Sequence, residues 1–396
     1  MCIICSNTFY NMGDLINSNN SSKSIDASFC QDLITITSTY KDIEYLHCFY
    51  CINLTIISEE LINLKSLNLK YCTSIATLPN TLINLETLFI SSCTSLTTIP
   101  NTFTNLTKLH CSECVITAIP DTLINLQELI CNNCLSLQEL PSTFVNLKEL
   151  YCCGCVLFKK LPKEYIKLKI LYCSYCVGLE EIPETYVNLE EMVASFTNIS
   201  EIPKTLINLN RLCCNSCNNL VEVKGLNKLR YMDVNDCREL VEVGYLPFLQ
   251  ALFCGNCVSL KKIDNSMVLL SDLECFNCPI LIDVPVLNNR DESVETESVE
   301  TDIRENDEDK ENGKNSKVKV IAKIVYNHCP WIYNNVQYDD NIKKLKRLQQ
   351  LIRKNLRYFI FKKWIKSEEG TKWLYDPCRI GGKVSKKNIE KSLGNC

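Results

Sequence analysis

The chain has 396 residues, enough for two or three domains, and its 46% hydrophobic and 22% charged residues are those of a globular protein. No stretch approaches the ~18 apolar residues of a membrane span, and the opening MCIICSNTFY lacks the basic and apolar regions of a signal peptide. The net charge of −4 is unevenly placed: Lys/Arg against Asp/Glu stand at 19 to 29 over residues 1–285, 5 to 11 over 286–317, and 18 to 6 over 318–396.

Residues 1–21 form an N-terminal segment whose Cys2 and Cys5 have no second pair in register. Beyond them a repeat begins. Pro79, Pro100, Pro120, Pro141, Pro162, Pro183 and Pro203 fall 20 or 21 residues apart, within copies of IPxTLINLxxLxCxxCxxLxxI. One leucine-type residue marks the centre of a short strand in each copy: Leu46, Leu67, Leu88, Leu109, Leu129, Leu150, Leu171, Met192, Leu212, Met232, Leu252 and Leu273. Ile25 opens a degenerate earlier copy, so thirteen repeats are predicted over residues 22–285, with strands stacked into a sheet roughly 60 Å long.

This pattern resembles the leucine-rich repeat, L-x-x-L-x-L-x-x-N/C-x-L. The resemblance implies an α/β-type solenoid, a horseshoe with a concave parallel β-sheet. The IPxTLINL segments would lie on its convex side. They are too short and proline-marked for long helices, and extended or single-turn structure is expected there.

Within this frame the cysteines can be weighed. Cys111, Cys114, Cys131 and Cys134 have the C-x-x-C spacing of a structural zinc site. Yet the column two residues after the strand leucine holds Cys48, Leu69, Ile90, Cys111, Cys131, Cys152, Cys173, Ala194, Cys214 and Val234. A ligand position would not accept isoleucine, whereas a core position would. Three residues later stand Cys51, Cys72, Cys93, Cys114, Cys134, Cys155, Cys176, Thr197, Cys217 and Cys237, where the chain leaves the strand and a donor can satisfy buried backbone. No metal or other cofactor is expected. With 27 cysteines in so long a chain, mostly free thiols in a reducing, intracellular compartment are the simplest reading.

The residue after each strand leucine points outward from the concave sheet. Phe89, His110, Ile130, Tyr151 and Tyr172 occupy that position in five successive repeats, an aromatic and apolar stripe about 20 Å long that marks a partner-binding surface. Ser91, Ser112, Asn132 and Ser174 flank it as a polar rim.

Residues 286–317, with a tandem ESVET, have too little apolar content to fold and read as an acidic disordered linker. Residues 318–396 read as a basic C-terminal, α-rich module: a strand-like VKVIAKIVY, then an amphipathic helix near 339–367. Its polar face carries Lys343, Lys344, Lys346, Arg347, Arg353, Lys354, Arg357, Lys362 and Lys363, suited to nucleic acid or an anionic membrane. The ending WLYDPCRIGGKVSKK, with its W-x-Y-x-P…GGK spacing, resembles a short module on leucine-rich repeat proteins of giant DNA viruses. That resemblance implies a viral origin and a host cytoplasmic location.

Three histidines in the whole chain, with no triad or metalloenzyme arrangement, argue against an enzyme, and no small-molecule substrate is expected. The sequence favours a non-catalytic protein–protein interaction scaffold, with nucleic-acid or membrane association through the basic module as the alternative.

Overall fold

The computed structural model describes residues 23–285 and the backbone of Lys323–Val325. The N-terminal segment, the acidic linker, the helix near 339–367 and all nine basic residues named on it lie outside the described residues.

Each repeat contributes one three-residue strand to a single parallel sheet. From Ser24–Asp26 through Tyr45–His47 and Ser66–Asn68 to Asp272–Glu274, neighbouring strands pair in sequence order. The leucine columns face one another in register: Ile25 opposite Leu46, Leu88 opposite Leu109, Leu171 opposite Met192, Leu252 opposite Leu273. Thirteen such strands, from Ser24–Asp26 to Asp272–Glu274, follow this frame in the described residues. A fourteenth strand, Lys323–Val325, pairs parallel with Asp272–Glu274 and places Ile324 opposite Leu273. The strand-like VKVIAKIVY thus supplies the sheet's last strand.

The opposite side carries turns and two-residue strands. Glu222–Val223, Glu242–Val243 and Lys262–Ile263 form one small parallel sheet, and Thr35–Ile36 pairs with Ile56–Ile57 in another. Among the described residues the one helix is the 3-10 turn Ser38–Tyr40. The core lies between the two sides. From Leu46 to Leu252 the strands bury their central leucine or methionine fully and leave both neighbours partly exposed, except that Cys213 is buried. Burying each such side chain contributes roughly 1.5–3 kcal/mol. Phe103, Phe144, Tyr165 and Tyr186 fill the layer beneath the turns. The Tyr165 and Tyr186 rings stack 6.5 Å apart, and their hydroxyls donate to Pro141 O and Pro162 O.

Successive turns are tied by ladders of side-chain hydrogen bonds. The cysteine five residues after each strand leucine donates its thiol proton to a carbonyl of the preceding turn, two after that turn's leucine. Cys72 reaches Cys48 O, Cys114 reaches Ile90 O, Cys134 reaches Cys111 O and Cys155 reaches Cys131 O. Every rung from Cys51 to Cys278 has a sulfur–oxygen distance of 2.9–3.2 Å. This is the backbone-satisfying role expected of the column, and it holds sulfur protons that a metal site would have to release. Burial pushes the Cys93, Cys114 and Cys257 thiols up to about 12, so they stay protonated donors at neutral pH. Thr197 keeps the donor but changes its target, bonding Ala194 O of its own turn at 2.8 Å.

Two more ladders run along the turns. Thr81, Thr102, Thr122 and Thr143 donate their hydroxyls to Glu59 O, Asn80 O, Asn101 O and Asp121 O. Asn84, Asn105, Asn125 and Asn146 donate side-chain N–H to Ile62 O, Ile83 O, Thr104 O and Ile124 O. The recurring Thr and Asn of IPxTLINL are thus donors to the preceding turn, a role sequence reasoning had not given them.

Candidate functional site

Phe89, His110, Ile130, Tyr151 and Tyr172 stand on adjacent strands, side by side on the open face of the long sheet. All five are half-buried, because side chains on neighbouring strands crowd one another at the ~4.8 Å strand spacing. The stripe resolves into two ring pairs separated by Ile130. Phe89 and His110 meet edge to face at 4.5 Å, and Tyr151 and Tyr172 do so at 5.0 Å.

Beside this row runs a second, two residues earlier in each strand, which carries the acids Glu128, Glu149 and Glu191. Each aromatic of the stripe with a polar hydrogen gives it to one of them. His110 Nε2 lies 2.7 Å from Glu128 Oε1; the Tyr151 hydroxyl donates to Glu149 Oε2 at 3.2 Å, and that of Tyr172 to Glu191 Oε1 at 2.7 Å. Burial lowers the His110 pKa against the pull of Glu128, so the ring is neutral at pH 7 and its Nε2–H is the donor. Burial works to raise Glu128, but hydrogen bonds from Lys108 and His110 outweigh it and hold the carboxyl below its usual range. Tyr151 and Tyr172 are pushed up to about 12, by burial first and then by their carboxylate neighbours. Cations also sit on rings of this face. Lys70 Nζ lies 5.0 Å from the Phe89 centroid, and the Arg211 guanidinium 4.4 Å from that of Tyr231.

The expected polar rim has a different task. Ser112 Oγ accepts from Asn132 N, Asn132 Oδ1 from Cys153 N, and Ser174 Oγ from Ser195 N. These side chains bind the amide of the next turn and so belong to the scaffold.

Beyond the strands the chain turns through a left-handed residue, always the fourth after the strand leucine. Only Gly154 is glycine there; the others include Phe29, Tyr50, Tyr71, Tyr175 and Phe196, with φ between 58° and 65°. Bulky residues in this region carry a backbone cost of about 1 kcal/mol or more. Phe29, Phe49, Tyr50 and Tyr71 make an exposed ring cluster over the first turns, Phe29 being 67% exposed. Tyr175 and Phe196 stack 4.6 Å apart. The repeat frame places these rings at the strand exits, a signal sequence reasoning did not use. On the strand-entry side runs a polar groove of about 990 Å³, lined by Asn84, Asn105, Asn125, Thr107, Gln127 and Lys148 among others.

Among the described residues Cys51, Cys72, Cys93, Cys114, Cys134 and others are free thiols, while Cys30 is disulfide-bonded. Among the described residues no cluster of three or more His, Cys, Asp or Glu is disposed to hold a metal.

No protein-family model and no curated protein matches the sequence. Solved structures match at the level of fold. The functional domain of InlJ from Listeria monocytogenes, which includes a cysteine ladder, is 19% identical over 64% of this chain and 67% of that one, with a TM-score of 0.46. YopM from Yersinia enterocolitica is 21% identical over 67% of this chain and 56% of that one, also at 0.46. A leucine-rich repeat protein from Leptospira interrogans is 18% identical over 67% and 93%, at 0.39.

Proposed function

We propose that this chain is a non-catalytic recognition scaffold that binds another protein on the concave face of its solenoid, at Phe89, His110, Ile130, Tyr151 and Tyr172. The observation that carries this is the paired rings standing outward on consecutive strands, each polar ring tied to a carboxylate and so held in one orientation before any partner arrives. Rigid aromatic anchors of this kind lose little freedom on binding. The ladders support the reading from the other side, since they tie each turn to the one before it and so hold the strands from which the rings project. The many free thiols suit a reducing, intracellular location.

Affinity capture with the full chain tests it. A partner retained through high salt by the wild type, and lost with the Tyr151→Ala/Tyr172→Ala double variant at unchanged thermal stability, is the expected result. Capture that resists the double variant but disappears with nuclease or salt would instead favour the basic residues from Lys343 to Lys363, and with them nucleic acid or an anionic membrane.

A further inference from the structure

Resting on that reading, we infer that the partner reaches this face with arginine or lysine side chains, seated over the Tyr151–Tyr172 pair against Glu149. The argument is one of charge complementarity and of an example within the molecule itself.

The example is Arg211. Its Nε lies 3.1 Å from Glu191 Oε1, and its guanidinium packs 4.4 Å from the centre of the Tyr231 ring. A carboxylate on one strand and a ring on another thus hold one cation on this sheet face. Two turns earlier the same pieces recur with a carboxylate, Glu149, that has no such cation among the described residues, while Glu191 is the one already shared with Arg211. Tyr151 and Tyr172 offer the rings, and Glu149 and Glu191 stand beside them, each fixed by a tyrosine hydroxyl. Among the described residues no basic side chain forms an ion pair with Glu149. The nearby lysines are engaged elsewhere: Lys148 donates to Gln127 Oε1 at 2.8 Å, and Lys169 pairs with Glu190 at 2.8 Å.

The field agrees with the geometry. Glu149, Glu128 and Glu191 all act against ionisation of Tyr151, so this ring sits in negative potential, while Arg211 offsets part of it at Tyr172. Phosphate groups would be repelled there, which sets this face apart from any nucleic-acid or anionic-lipid site. Glu149 and the Arg211-paired Glu191 lie two strands apart, roughly 10 Å, which leaves room for one incoming guanidinium over the rings beside Glu149. Ile130 and Val193, on the flanking strands, offer apolar surface to the aliphatic stems of those side chains.

A phage library of random dodecapeptides, selected on the full-length protein, tests this. The enriched peptides are expected to be rich in arginine and lysine. Their binding should weaken about tenfold with Tyr151→Ala, severalfold with Glu149→Gln, and steeply when arginine is replaced by citrulline. Glu149→Gln removes charge without changing size at a half-exposed position, so its fold serves as the control. Neutral or acidic peptides that still lose binding with Tyr151→Ala would overturn this inference and leave the binding face standing. Peptides indifferent to both Tyr151→Ala and Tyr172→Ala would overturn the two together. A selection without enrichment of basic residues over the starting library counts against the inference as well.

Discussion

The two faces of the long sheet differ in what they accept. On the inner face, the position two after the strand leucine interchanges cysteine with leucine, isoleucine, alanine and valine, and all are buried without trace of exposure. On the outer face, the residue between those two positions ranges from Asn68 and His47 through Phe89 and Tyr172 to Asp233 and Glu274. The inner columns repeat because each turn must fit the next. The outer column varies because the stacking of turns leaves it free, and chemistry can accumulate there. The most motif-like feature of the chain, its C-x-x-C pairs, therefore belongs to the scaffold, while the proposed recognition residues sit at the position with no pattern.

Changes on the scaffold side should act on stability, and a large one is expected at the strand exit. Gly154→Val puts a β-branched residue at φ +74°, with its Cβ 2.2 Å from Asn133 Oδ1, and should cost about 2–3 kcal/mol in urea unfolding. Cys155→Ala removes one rung and leaves Cys131 O without its thiol donor, for a loss of about 1–2 kcal/mol by the same measurement. Cys155→Ser, which keeps a donor, should lose less. Thermal unfolding against pH sharpens the comparison on the outer face. Because the His110 pKa is lowered on folding, the unfolded chain takes up the proton first. Its contribution is present above about pH 6.5 and declines as pH falls from there through the depressed folded value. His110→Gln should remove that part of the pH dependence. The smallest effect is a gain. Thr197→Cys restores a thiol able to reach Cys173 O and should stabilise by about 0.5 kcal/mol.

The repeat frame was legible because a solenoid writes its period into the chain: the leucine columns predict every strand of the long sheet from Ile25 to Leu273. The donor role of the cysteine column was legible for the same reason. The Thr and Asn ladders were within reach, since Thr81, Thr102, Thr122 and Thr143 recur in phase, but their acceptors lie 21 or 22 residues back and depend on how turns stack. Phasing between turns also hid the true role of Ser112, Asn132 and Ser174, which face outward by alternation yet bond the following turn. The pairing of Lys323–Val325 with Asp272–Glu274 crosses a long acidic stretch that carries no repeat signal, so no local pattern announces it. Individual outward residues could be placed on the stripe, but their carboxylate partners could not. Those contacts come from the neighbouring strand for His110 with Glu128 and Tyr172 with Glu191, and from the same strand for Tyr151 with Glu149.

Leu150 and Tyr151 are adjacent on one strand, one inside and one outside, and substituting each with alanine in turn tests the division most directly. Urea unfolding should show Leu150→Ala losing about 2–5 kcal/mol, as for a fully buried leucine, and Tyr151→Ala losing less than about 1 kcal/mol. A Tyr151→Ala loss as large as that of Leu150→Ala would contradict the account, because the ring would then be part of the scaffold rather than a surface kept for a partner.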